Sequence, residues 1–436
     1  LASFTSRYDG SMNFAPDKRW GFFPSGSIGW IVSKERFFEN VKGIDLLKIT
    51  ASAGLVGNDA VGSAYLWLDT YKNGNSAYFG TTPATNAGVT YGPVPNQDFT
   101  WEKSFNRNYA VTVDFLKHFS SKIEYWQTHT YDILGSRIQT IPPTFSLSPP
   151  PQNYGKVNAE GIDFSLSYST KIGKVSFNTG INASYGNTVT KLRDESITYE
   201  YDRTVGRSQS AIRGYYDVVG MIRTQDDLNN LLEKMPNYKF NGIAPALGQF
   251  IYKDINGPNG VPDGIIDNWD KSVIRANNNP INVGWNIGAN WNGFSLAATF
   301  AGSFRQWKSF NDVTGGVEWN RMWEGWYTDS WNPNNTGATL PKRYSTNDGT
   351  KNVSNSGSDF WFANASFLRL RNLNIAYNIP SSWCSKLGVQ GIRMYASGTN
   401  LFIISGFNKK YYDPEISGGT AFPIMRSFNF GCAVSL

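Results

Sequence analysis

The 436-residue chain is poor in charge and in the residue types that usually carry chemistry. Charged residues make up 17% of it, against about 25% in an average soluble domain. Its surface is therefore less ionic than usual, or does not all face water. Only two histidines, His118 and His129, and two cysteines, Cys384 and Cys432, are present. The cysteines have no metal-ligand spacing and say nothing decisive about compartment. There is no nucleophile elbow, no zinc-binding His-Glu-x-x-His and no phosphate loop. Carboxylate pairs such as Asp194/Glu195 and Asp226/Asp227 fall where solvation or helix capping explains them. Glycosidase carboxylates would be distant in sequence and leave no spacing signal; otherwise nothing points to an enzyme. No run reaches the roughly 18 apolar residues of a membrane helix, which excludes helical spans and leaves β-barrels open. The net charge of +6 is scattered, with no basic run, so no nucleic-acid partner is expected.

What is abundant is aromatic residues, 15% of the chain, set in long alternating strands. Val175, Phe177, Thr179, Ile181, Ala183 and Tyr185 alternate with Ser176, Asn178, Gly180, Asn182, Ser184 and Gly186. Ile281–Trp291 repeats the pattern, with Ile281, Val283, Trp285, Ile287, Ala289 and Trp291 against asparagines and glycines. Phe294, Leu296, Ala298, Phe300 and Gly302 follow in the next strand. Side chains on a strand point to opposite faces with period two. One face of this sheet therefore meets an apolar medium and the other a polar space. A transmembrane barrel reads this way, at roughly 9–11 residues per crossing.

Strands are expected near 1–8, 20–32, 46–56, 108–116, 121–131, 157–168, 175–185, 281–291, 295–304, 367–377, 392–402 and 427–436, an antiparallel up-and-down meander of about a dozen. Within 367–377, Leu368 and Leu370 share one face while Leu373, Ile375 and Tyr377 share the other, which places a bulge near Asn372. Cys432 falls on an apolar strand face and is expected to pack as a small hydrophobe. Trp20, Trp30, Trp285 and Trp291 also lie on apolar faces and read as lipid or interface anchors. Between strands run long connections: a proline-rich 138–153, a segment over 191–270 with one short helix at 225–234, and a Trp/Asn/Gly-rich 305–358. Connections of such length are functional or disordered, and in a barrel they are the extracellular loops.

Two loop clusters are candidate sites. Asp254, Asn256, Asn259, Asp263, Asp267 and Asp270 alternate with glycines over a short stretch. Such oxygen donors on a flexible loop could hold calcium, as an EF-hand loop opened by an insertion, although a glutamate at its last position is missing. The alternative is an Asx turn cluster capping its own backbone. Trp319, Trp323, Trp326, Tyr327 and Trp331, with Trp361 beyond, could stack on a sugar or a peptide. The alternative is that the rings pack the loop on itself, on a partner protein, or into the interfacial girdle of a barrel.

Taken in order, Ser6–Phe14 (SRYDGSMNF), Arg19–Trp30 (RWGFFPSGSIGW), Leu46–Asp59 (LLKITASAGLVGND), Tyr252–Asp270 (YKDINGPNGVPDGIIDNWD), Phe367–Tyr377 (FLRLRNLNIAY), Ser397–Phe402 (SGTNLF) and Asp413–Glu415 (DPE) resemble the C-terminal part of the SusC/RagA family of TonB-dependent outer-membrane transporters. The resemblance covers essentially the whole chain. It implies an all-β fold: the C-terminal portion of a transmembrane barrel of about 22 strands, with the signal peptide, TonB box, plug domain and N-terminal strands outside this sequence. The chain starts in what reads as mid-strand, and a dozen strands left open would expose unpaired edges to lipid. It is therefore expected to be a piece of a longer polypeptide, whether or not Leu436 ends it; outer-membrane barrels usually end on an aromatic residue.

The resemblance further implies TonB-dependent import of an oligosaccharide or oligopeptide across the outer membrane of a Gram-negative bacterium. A SusD-like surface lipoprotein would act as lid, and the TonB–ExbB–ExbD system would act through the missing N-terminal region. No cofactor beyond calcium is expected. The other reading of the same alternation is a soluble or surface carbohydrate-binding β-sandwich. The two differ in where the apolar face lies: between sheets in a sandwich, in lipid in a barrel.

Overall fold

The tight turns show why the chain meanders. Asn292 and Gly293, both with positive φ (45° and 87°), form a two-residue turn whose twist matches the flanking strands. A Cβ at position 293 would stand 2.7 Å from the carbonyl oxygen of Asn378, so only glycine fits. Leu116 and Lys117 also take positive φ. Their backbone N–H groups are held by Gly43 O at 2.9 Å and Asp45 Oδ2 at 2.6 Å.

The computed structural model describes residues 1–60, 65–79, 84–86, 88–137, 139, 142, 144, 149–310, 324–344, 353–355, 357–418 and 421–436. Twelve strands form one sheet in sequence order: β1 (Ala2–Gly10), β2 (Trp20–Ile31), β3 (Ile44–Asn58), β4 (Glu102–Phe115), β5 (Phe119–Gly135), β6 (Gln152–Ile172), β7 (Val175–Leu192), β8 (Ile281–Trp291), β9 (Phe294–Phe304), β10 (Phe367–Asn378), β11 (Gly391–Ile404) and β12 (Ser427–Ser435). All twelve expected strands are present. Several run well past the apolar core that gave their signal; β6 has 21 residues. Alternate connections of an antiparallel meander lie at opposite ends. Here the connections after β3, β7 and β9 are long, and those after β4, β6 and β8 are turns of two or three residues. The expected bulge exists: Thr299 pairs with Asn372 and Phe300 with Leu370, leaving Arg371 over.

The chain divides into two compact units. The first comprises 1–164, 186–198 and 203–209. On one face of its strands, hydroxyls and amides pair across the ladder: Ser3 with Ser27 (2.7 Å), Thr5 with Ser25 (2.6 Å) and Thr128 with Asn106 (2.8 Å). Its other face carries Phe4, Tyr8, Phe22, Ile28, Tyr109 and Ile123, all exposed, Phe4 to 72%. A small aromatic core of Phe14, Phe23, Phe99 and Trp101 plugs the long-loop end.

The second unit comprises 165–185, 199–202 and 210–436. Gly284 and Gly288 on β8 face Asn182 and Asn178 on β7; a Cβ at either glycine would press to within 2.4 Å or less of the amide oxygen. Ile181, Trp291, Leu296, Ile375 and Phe430 are exposed on the opposite face. In both units these apolar side chains are open, where a sandwich would stack them against a second sheet. Trp20 and Trp30 in the first unit and Trp291 in the second are exposed, and Trp285 lies on the Phe300 ring at 5.0 Å. Cys432 is exposed between Phe430 and Val434 rather than packed, because nothing in the described chain covers that face.

Candidate functional site

The long connections of the second unit build a layer with its own core. Helix α1 (Gln225–Lys234) occupies the span expected for it. Thr224 caps it by accepting the Asp227 N–H, and the Asp227 carboxylate accepts the Thr224 N–H in return, which satisfies two orphan donors of the first turn. The core joins residues of three connections: Tyr216, Ile222, Leu231, Tyr252 and Ile266 from 193–280, Phe310, Trp326, Trp331, Leu340 and Trp361 from 305–366, and Phe407 from 405–426. Burial pushes the Tyr238 hydroxyl up to about 12 and raises Tyr252 as well. The Tyr252 hydroxyl donates to Val353 O at 2.9 Å.

This core decides the fate of the aromatic cluster. Trp361 is 1% exposed, and Trp326 and Trp331 are buried with it. Trp361 Nε1 donates to Ser354 O at 3.0 Å, and Trp331 Nε1 to Arg223 O at 3.1 Å. These rings pack the loops together and offer no open face. Tyr327, on the short helix α2 (Glu324–Thr328), is 83% exposed. Of the described candidates it alone presents its ring to solvent. Trp319 and Trp323 lie outside the described residues.

The carboxylates of the acidic loop are likewise spent on the protein's own backbone. Asp270, fully buried, accepts the N–H groups of Ile255 (2.7 Å), Asn256 (3.2 Å) and Asp267 (2.9 Å). Burial raises its pKa above the usual carboxylate range, with Asp254 adding to the effect. Asp254 Oδ2 accepts from Gly264 N at 2.6 Å, Asp263 Oδ1 from Ile265 N at 2.9 Å and Asp267 Oδ1 from Trp269 N at 2.7 Å. Four carboxylates thus cap their own backbone, the Asx arrangement that the sequence also allowed. Asp254 Oδ1 is buried without a hydrogen-bond partner among the described residues. Asn259 is exposed and Asn256 half-buried. Among the described residues no three Asp, Glu, His or Cys side chains converge as metal ligands do.

Two features of the wall carried no clear sequence signal. One is a cavity of about 750 Å³ on the polar face of the first unit, lined by Ser3, Thr5, Arg7, Ser25, Ser52 and Asn106 among others. Its alternating serines were visible, but their cross-strand pairing depends on register. The other is an ion cluster in the second unit: Arg369 on β10 donates to Asp413 and Glu415, and Arg371, displaced by the bulge, to Glu415 as well. The Asp-Pro-Glu motif was legible; its partners 44 or more residues away were not.

A single-layered antiparallel meander, polar on one face, exposed and apolar on the other, with its long connections at one end, is the wall of an outer-membrane barrel. Comparisons with known proteins agree. The chain is 26% identical to the TonB-dependent receptor SusC of Bacteroides thetaiotaomicron, over 100% of this chain and 42% of that protein. It is 25% identical to the TonB-dependent receptor P3 of Formosa agariphila, over 95% of this chain and 40% of that one. Among solved structures, that of the RagAB peptide transporter matches with a TM-score of 0.73 at 19% identity. The RagAB peptide importer in its open-open state matches at 0.76 and 20%, covering 100% of this chain and 45% of that one. No protein-family model matches. The chain is a relative of the SusC/RagA transporters, its fold is part of their barrel, and it spans less than half the length of the relatives it matches. Those relatives are named as receptors and transporters, not as enzymes.

Proposed function

We propose that this chain forms barrel wall and extracellular loops of a TonB-dependent importer, which takes up an oligosaccharide or an oligopeptide across the outer membrane. The observation that carries the reading is the sheet itself. Its apolar residues are exposed on one face, its hydroxyls and amides gather on the other, and its loops fold into a packed layer at one end. Lipid suits the first face, and a wet or plugged lumen the second. The names of the relatives support TonB-dependent uptake, and the RagAB titles support a peptide as one cargo class. A SusD-like lipoprotein would close over the loop layer, and TonB–ExbB–ExbD would act through sequence outside this chain.

The test is purification from native outer membranes in detergent, followed by a peptide-mass map. Expected are peptides of a plug preceding Leu1, a co-purifying lipoprotein, and a band that shifts on the gel when heated. Recovery in the soluble fraction without detergent would overturn the reading.

A further inference from the structure

The outward face of the first unit changes character along its height. Tyr109, Val111, Ile123 and Ile162 form an exposed apolar band. Toward the long-loop end the same period-two positions turn polar and cationic. Arg107 follows Tyr109 and pairs across the ladder with Gln127; Tyr109 pairs with Tyr125, and Phe105 with His129. Glu160 follows Ile162, with Lys156 beyond it, and Lys191 lies on β7. A cavity of about 400 Å³ opens here, lined by Arg107, Gln127, His129, Glu160, Asn187 and Lys191 among others.

The charges in this cavity do not cancel. Glu160 is engaged by the Tyr125 hydroxyl at 2.9 Å. Arg107 lies over the Phe105 ring at 4.8 Å, and none of Arg107, Lys156 and Lys191 forms an ion pair among the described residues. His129 Nδ1 is 2.5 Å from Asn158 Oδ1. Arg107 and Lys191 at the cavity, with Lys156 beyond it, are thus three exposed cations on the long-loop side of an exposed apolar band. Cations near an anionic leaflet contribute about 1 kcal/mol each, and lysine and arginine bind phosphate oxygens well.

We propose that this cavity holds the phosphorylated headgroup of an outer-leaflet glycolipid, whose acyl chains run down over Tyr109, Ile123 and Ile162. Arg107 and Lys191 bind the phosphate, and Gln127 and Asn187 supply polar groups to the sugar. The proposal rests on the reading of the apolar face as lipid-facing.

The experiment is native mass spectrometry of the full protein in detergent, titrated with monophosphoryl lipid A. The double variant Arg107→Ala/Lys191→Ala is expected to lose roughly thirtyfold in affinity, and Arg107→Lys to keep most of it. Lys48→Ala, on the polar face, is expected to bind like the parent. Heat-modifiability on a gel shows that each variant is folded; should the double variant fail there, Lys191→Glu alone replaces it. Equal binding by parent and variant overturns the proposal. So does full competition by inorganic phosphate, or a variant that changes only the protomer count, since the site would then serve a free anion or a second copy. A spin label at Ile123→Cys separates the two readings. If the label is not reached by lipid-soluble oxygen, the wall assignment fails; if it is reached and lipid A binding is unchanged, only the headgroup site fails.

Discussion

Arg369 Nε donates to Glu415 Oε2 at 2.5 Å, joining β10 to the connection before β12 across 46 residues. The guanidinium is 3% exposed and also donates to Asp413. Lys308 Nζ adds bonds to the carbonyls of Pro414 (2.9 Å) and Ile416 (2.6 Å). Removing one partner of a buried ion group strands the others and costs about 3–5 kcal/mol. Arg369→Ala is therefore expected to release residues 405–418, seen as faster amide exchange there while α1 keeps its protection. Arg369→Lys should rescue only partly, since an ammonium lacks the planar fork that serves two carboxylates at once. Unchanged exchange in the alanine variant would show the strap to be held by packing alone.

Trp361 and Tyr327 are expected to part company on mutation. Trp361→Ala empties the centre of the loop core and should cost about 3–5 kcal/mol, read as protease cleavage within 305–366. Tyr327→Ala touches an exposed ring and should leave stability within about 0.5 kcal/mol. If the aromatic cluster contacts cargo, Tyr327 is where the effect on oligosaccharide or oligopeptide binding should fall, measured by calorimetry. Weakened binding in a folded Trp361→Ala protein, with none in Tyr327→Ala, would reverse that assignment.

The contrast shows what could be read from the residues alone. The strands were legible because an apolar face set against a polar one imposes period two on each of them, and the bulge because Leu370 and Leu373 break that phase. Helix α1 was legible from the acids of its first turn. The destination of the tryptophans was not, because a ring that stacks on cargo and a ring that fills a loop core have the same local sequence. Trp361 is buried by Phe250, Phe310 and Trp326, contacts that no periodicity encodes. The acidic loop was ambiguous for a similar reason: oxygen donors that suit calcium also suit backbone N–H groups.

Ile287 and Asn286 are neighbours on β8 and lie on opposite faces of the sheet. Ile287→Arg puts a charge on the apolar face and should destabilise the folded protein in lipid by about 2–4 kcal/mol near the bilayer midplane. Asn286→Arg faces the polar side and should be tolerated. Urea unfolding in vesicles reads the difference. Equal effects would mean that the two faces do not meet different media.

Helix α1 should respond to acid through Asp227. Its carboxylate accepts the N–H of Thr224 at 2.9 Å, the Thr224 hydroxyl at 3.0 Å and the Arg223 N–H at 3.0 Å, which hold it below the usual carboxylate range. The depressed value means that the cap's contribution is present above the ordinary value of about 3.9. It is lost as the pH falls through the lower folded one. Amide exchange over 225–234 should therefore stay slow down to about pH 4 and rise below it. In Asp227→Asn that pH dependence should vanish.

The acidic loop behaves oppositely, and calcium is its discriminating reagent. Burial raises Asp270, so its ionisation opposes folding. The stability available to the protonated form is fully present below about 3.9 and is lost as the pH rises through the raised folded value. A bound cation would invert this by favouring the carboxylate, with Asp254 Oδ1, which has no partner among the described residues, as a ready donor. Asp254 Oδ2, Asp263 Oδ1, Asp267 Oδ1 and both oxygens of Asp270 already accept backbone N–H groups. Calcium or EGTA is therefore expected to leave amide exchange over 254–270 unchanged. A calcium-dependent slowing confined to that segment would mean that Asp254, Asp263 and Asp267 leave their caps and regroup around the ion.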